Sequence, residues 1–233
     1  MQQGWTLPVM NKKFCYLLTI VVSSFAATAN GDPMAYSVNS DGLEGDSLYR
    51  IDLATGNDQL RGELFNGIEV RADTEGLAFA PDGTLWGIDD ISRTLFPINP
   101  VSGSVNYLNE IFFSGFPTGG SNDFGMTFGC DNSLYVTSVV TQTLYKLDFE
   151  GNSEIVGSEG ALSANISAIA AIGNPTRLYG LGNGDTNAPG LYSIDTSTGV
   201  ATVIGPLGSV GGYNEGGLAF DSDGNLWAIT DRS

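Results

Sequence analysis

Short apolar runs separated by glycine, proline and aspartate recur along the chain, and within several of them apolar and polar positions alternate with the two-residue period of a strand. Leu191-Tyr-Ser-Ile-Asp195 puts Leu191, Ser193 and Asp195 on one face and Tyr192 and Ile194 on the other, and Thr198-Gly199 turns the chain into Ala201-Thr-Val-Ile204. Gly76 to Phe79 is short and continuously apolar, as a buried inner strand should be, and Pro81-Asp82-Gly83 supplies turn residues before Leu85-Trp86-Gly87-Ile88. The pattern predicts strands over 76–80, 84–88, 125–129, 133–137, 191–195, 201–204, 217–220 and 225–230. No 3.6-residue stripe stands out beyond the first thirty residues, and 32 glycines with 9 prolines leave no room for long helices.

These strands belong to a repeat. Four segments align: Glu75-Gly-Leu-Ala-Phe-Ala-Pro-Asp-Gly-Thr-Leu-Trp86, Phe124-Gly-Met-Thr-Phe-Gly-Cys-Asp-Asn-Ser-Leu-Tyr135, Ser167-Ala-Ile-Ala-Ala-Ile-Gly-Asn-Pro-Thr-Arg-Leu-Tyr179 and Gly216-Gly-Leu-Ala-Phe-Asp-Ser-Asp-Gly-Asn-Leu-Trp227. Their small anchors Gly76, Gly125, Ala168 and Gly217 are 49, 43 and 49 residues apart. A second phrase follows in three units and also opens the folded part: Leu48-Tyr-Arg-Ile-Asp-Leu-Ala-Thr-Gly56, Leu95 to Gly103, Leu144 to Gly151 and Leu191 to Gly199. A period of ~40–50 residues holding several short strands is that of a propeller blade, so the expected fold is an all-β propeller of four-stranded antiparallel blades.

The ends bear on blade number. Met34–Val38 followed by Leu48–Asp52 matches Leu178–Leu181 followed by Leu191–Asp195, so the folded part begins at a second strand. Its far end supplies a first strand, Gly217–Phe220, and another second strand, Leu226–Thr230. Joining the two ends would close four blades with one second strand in excess. The other reading is a fragment of a larger ring, since six blades of ~47 residues need about 280.

The first residues read as an address. Lys12-Lys13, an apolar run from Phe14 to Val22 and the small-residue pattern Ala27-Thr-Ala29 form a secretory signal peptide, with residues 1–9 as an upstream extension. The run is far short of the ~20 residues that span a bilayer. The expected domains are therefore 1–29, removed on export, and 30–233, a single propeller, secreted or periplasmic. Cys15 leaves with the leader, so Cys130 has no intramolecular partner.

Composition narrows the chemistry. Nine basic residues face 26 acidic ones among 233, a formal charge of −17, and the leader would carry off two lysines and no acid. Such a balance repels phosphate backbones and anionic lipid, so neither nucleic acid nor a membrane is an expected partner of the mature chain. The chain has no histidine, which excludes Ser-His-Asp and Cys-His nucleophiles and His-ligated zinc. The hydrophobic share of 42% argues for a packed core rather than disorder.

The phrases Pro81-Asp-Gly-Thr-Leu-Trp86 and Asp221-Ser-Asp-Gly-Asn-Leu-Trp227 resemble those of the gluconolactonase, senescence-marker and NHL-type propellers, and Leu-Tyr-x-Ile-Asp-x-x-Thr-Gly resembles secreted bacterial repeat proteins. Acidic residues stand just before three inner-strand anchors, Glu75, Asp123 and Glu215, and Asn165 precedes the remaining anchor by three positions. In a propeller the inner strands start around one mouth of the axial channel, where oxygen ligands suit Ca²⁺. The gluconolactonase resemblance implies a divalent ion on such a set, and carried over by position it falls on Glu75 and Asp123, although Asp123-Phe-Gly-Met126 departs from the Asp-Gly-Met form. The alternative is that these carboxylates are solvated or accept backbone N–H bonds.

Other features read as structure. Asp221-x-Asp223-Gly-Asn225 looks like half a calcium loop, but Arg232 occupies the position of its bidentate acid, so a hairpin turn is expected. Trp86 and Trp227 hold equivalent blade positions and suit packing between blades better than sugar stacking. Asn165-Ile-Ser167 is a glycosylation sequon that only a eukaryotic secretory pathway would use. The leading expectation is an exported, non-catalytic, monomeric binding module for a protein or small-molecule ligand. The alternative is a metal-dependent lactonase or related hydrolase, with Ca²⁺ polarising a carbonyl and a carboxylate as base.

Overall fold

A computed structural model describes residues 33–230 apart from 40–44, 66, 69, 71–72, 107–109, 114, 118–121, 184–188 and 208–215. The expected leader, residues 1–29, therefore lies outside the described residues. Among those described there is no helix, and the strands form antiparallel sheets in chain order. The first sheet is β1 (Met34–Val38), β2 (Ser47–Asp52) and β3 (Asp58–Glu63). A four-stranded sheet follows: β4 (Thr74–Phe79), β5 (Leu85–Asp89), β6 (Thr94–Ile98) and β7 (Ile111–Phe112). The next is β8 (Phe124–Phe128), β9 (Leu134–Ser138), β10 (Thr143–Leu147) and β11 (Ser153–Ile155). Then come β12 (Ile166–Ile172), β13 (Arg177–Gly182), β14 (Gly190–Ile194) and β15 (Ala201–Pro206), and last the pair β16 (Gly216–Phe220) and β17 (Leu226–Thr230).

The architecture is an all-β propeller on a four-blade plan: three blades are complete, and the remaining strands are divided between the two ends. Among the described residues no hydrogen-bonded ladder joins β1–β3 to β16–β17. The excess strand explains the division. Met34–Val38 and Leu226–Thr230 are both second strands of the repeat, so they compete for one place in a blade, and each stays paired with its neighbour in sequence.

A core fills each junction between successive sheets. Leu48, Phe79, Leu85, Phe96 and Ile98 pack the first sheet on the second; Ile88, Leu95, Phe116, Phe124 and Val136 pack the second on the third; Tyr135, Leu144, Ile166, Leu178 and Ile194 pack the third on the fourth. The last junction is thin, built on Ala168 and Leu181 against Leu218. A sheet sandwiched on both sides should be apolar throughout, and all residues of β8 and β9 are buried, whereas β17 has none buried. Fully burying one such side chain stabilises the fold by ~1.5–3 kcal/mol.

The second repeated phrase has a local cause. Asp52, Asp148 and Asp195 each accept backbone N–H bonds from residues two to four further on, as does Asn99 from Val101, closing the turn after the third strand. The glycines that end the phrase, Gly56, Gly103, Gly151 and Gly199, all have φ between 70° and 88°, the left-handed conformation that a Cβ disfavours.

Candidate functional site

The inner strands β4, β8, β12 and β16, together with β1, line a cavity of about 360 Å³, walled by Ala35, Leu77, Met126, Ile169 and Leu218 and bordered by Trp227. The small anchors of the repeat exist because inner strands approach one another closely. A Cβ on Gly76 would stand 2.9 Å from the Phe124 carbonyl oxygen, and one on Gly125 would stand 3.0 Å from the Ala168 Cα. At Gly217 nothing lies within 4 Å, so this anchor faces open space.

Glu75, the second residue of β4, and Asp123, immediately before β8, line this cavity at the end where inner strands begin. Asn165 precedes β12 at the same end, but its Oδ1 accepts a 2.9 Å bond from Gln142 Nε2 and the residue is not part of the cavity wall. Glu215 lies outside the described residues. Ser167 lines the cavity, is buried, and its Oγ makes no hydrogen bond.

The same end carries acids that the sequence reading passed over. Second strands finish where first strands begin, so Asp89 and Asp90 at the end of β5 come beside Asp73 and Glu75; Thr74 pairs with Asp89, and the Asp90 N–H donates to the Asp73 carbonyl at 3.3 Å. Carboxylate oxygens of Asp73, Glu75 and Asp90 all lie within 4.8 Å of one another. Asp46 Oδ2 accepts a 2.6 Å bond from the Thr74 N–H, and Asp90 Oδ2 accepts one of 3.3 Å from the Asn122 N–H, so each links a sheet to the next. Burial pushes both carboxyls up from 3.8 to about 6, and the charges of Asp73 and Asp89 push the same way. Adjacent acids in Ile88-Asp-Asp-Ile91 were the available signal, readable once the topology places that loop beside the start of β4.

At the opposite end the acids are turn residues. Asp221 accepts bonds from the N–H groups of Asp223 and Asn225, from Asn225 Nδ2 and from Trp227 Nε1. Although desolvation opposes it, this set holds the Asp221 carboxyl below its ordinary range, and the hairpin expected there is what forms. Trp86 packs between blades, its ring centroid 5.3 Å from that of Phe149, while its counterpart Trp227 borders the cavity instead. Cys130 is a partly exposed thiol outside any disulfide.

No family model matches this chain, and no curated protein does. Solved structures do resemble it. A protein of unknown function from Bacteroides thetaiotaomicron aligns with a TM-score of 0.56 at 14% identity over 84% of this chain and 53% of its own. Virginiamycin B lyase from Staphylococcus aureus aligns at 0.48 and 15% over 88% and 66%, and an auxiliary nutrient binding protein from B. thetaiotaomicron at 0.48 and 14% over 82% and 52%. The chain thus spans about half to two thirds of the length of these structures. At such identities the likeness is one of fold, and the fold class is the β-propeller.

Proposed function

We propose that the protein is an exported binding module that takes a small ligand with an apolar body and a cationic head into the axial cavity. The observation that carries this reading is the cavity itself: about 360 Å³, in the range of small-molecule sites, apolar in its walls, with Glu75 and Asp123 at one end and the Ser167 hydroxyl without a partner in the protein. The leader-like residues 1–29 support export.

Benzyltrimethylammonium, benzyl alcohol and benzoate serve as matched cationic, neutral and anionic probes. The cation should raise the melting temperature saturably and benzoate should not. Gly217→Trp adds bulk where nothing stands within 4 Å, so it should fill the cavity without straining the backbone and abolish the shift. Equal response to all three probes, no response, or an unaltered response in the variant overturns the reading. Turnover of a lactone panel in Ca²⁺ would replace it with the hydrolase alternative.

A further inference from the structure

The end of the cavity holds a second arrangement, which shares Glu75 with the ligand-facing wall. Asp73 and Glu75 lie at the start of β4, and Asp90 follows β5, the adjacent strand; their carboxylate oxygens fall within 4.8 Å of one another. A cluster of acids alone says little, since exposed acids gather on any protein of this charge. Asp90 is different. It is 3% exposed, its Oδ2 is committed to the Asn122 N–H, and its Oδ1 is out of solvent with no hydrogen bond. A buried carboxylate oxygen that no protein donor satisfies is costly, and two further carboxylates beside it compound the cost.

We propose that Asp73, Glu75 and Asp90 form a divalent-cation site, best suited to Ca²⁺, at the junction of β4 and β5. The spacing fits the ion. With Ca–O distances of ~2.4 Å, two ligands on opposite sides of one Ca²⁺ stand ~4.8 Å apart, so oxygens all within that span can share a single ion. Mg²⁺, with its strict octahedral demands, dehydrates reluctantly and keeps several of its waters, which three protein carboxylates do not replace. Oxygen-only ligands also disfavour the softer transition metals. Only Glu75 is common to this set and to the one expected from the sequence, in which Asp123, Asn165 and Glu215 are the other members; the proposed set joins neighbouring strand ends of one blade, the expected one corresponding positions of four. The ion would tie β4 to the loop after β5 and fix Glu75 at the cavity end, but its binding needs no occupant of the cavity.

Calorimetric titration of the chelator-treated protein with CaCl₂ and with MgCl₂ tests this, alongside melting temperatures in each salt. The expected result is one saturable Ca²⁺ site, tighter than Mg²⁺ by tenfold or more, with a rise in melting temperature. Asp90→Asn and Asp73→Asn should each weaken Ca²⁺ at least tenfold, while Asp58→Asn, at an exposed acid on β3, leaves it unchanged. No saturable heat, equal weakening by Asp58→Asn, or loss in Asp123→Asn with retention in Asp90→Asn overturns the assignment. Because Gly217→Trp blocks the cavity and not the cluster, Ca²⁺ binding should persist in it, which separates failure of this site from failure of ligand uptake.

Discussion

Asp46 and Asp90 invert the usual pH behaviour of acidic side chains. Their folded-state carboxyls titrate near 6 rather than 3.8, so between these values the folded chain binds protons that the unfolded chain has released. Stability without divalent cations should therefore fall as pH rises from about 4 to 6 and stay lower above 6. Asp195 shifts the other way, to about 2 through bonds from the Ser197 hydroxyl and N–H and the Thr198 N–H, so its contribution is present above pH 4 and lost only as pH falls toward 2. Melting temperatures in chelator should decline between pH 4.5 and 7. Asp46→Asn keeps an acceptor for the Thr74 N–H and removes one buried charge that faces Asp73 and Asp89, so it should raise the melting temperature at pH 7 and flatten the profile. A profile that rises with pH, or one unchanged in this variant, contradicts the account.

The turns separate two reasons for a glycine. Gly56 and Gly199 end the same phrase with φ of 74° and 70°, but a Cβ at Gly56 meets nothing within 4 Å, whereas one at Gly199 collides with the Val156 carbonyl oxygen. Gly56→Ala should cost about 1 kcal/mol, the cost of a left-handed Ala, and Gly199→Ala clearly more, as read by urea denaturation. Equal costs would mean that the collision is relieved by backbone movement. The inner and middle strands were legible because buried faces impose alternation or apolar runs: β14 buries Gly190, Tyr192 and Ile194 as its pattern indicates. Strands β3, β7 and β11 were not, for they lie at blade edges and carry little pattern to read, whereas β15, an equally exposed edge, was legible only from its place after the Thr198-Gly199 turn. Of the acids at the cavity end, some were legible and others were not. Glu75 and Asp123 are fixed by their distance from the anchors, but Asp90 reaches the same place through the loop after β5, and its burial is a property of the packed junction that no local spacing records.

The molecule as a whole is a chain of sheets whose last junction is the thinnest, and its cavity lies between the inner strands, opening beside Gly217. Trp227 follows from that arrangement. Its equivalent Trp86 is covered by Phe149 of the next blade, whereas Trp227 has no such ring against it among the described residues and borders the cavity, its Nε1 held by Asp221 Oδ2 at 2.8 Å. Uptake of a ligand into the cavity should therefore be reported by this one indole. In the chain from residue 30 carrying Trp86→Phe, tryptophan emission comes from Trp227 alone, since the third tryptophan, Trp5, precedes residue 30. The decisive measurement is titration of that emission with benzyltrimethylammonium. A saturable change that tracks the thermal shift and is absent when benzoate replaces the cation is the predicted result; a thermal shift that leaves the Trp227 emission unmoved would place the ligand elsewhere and contradict the account.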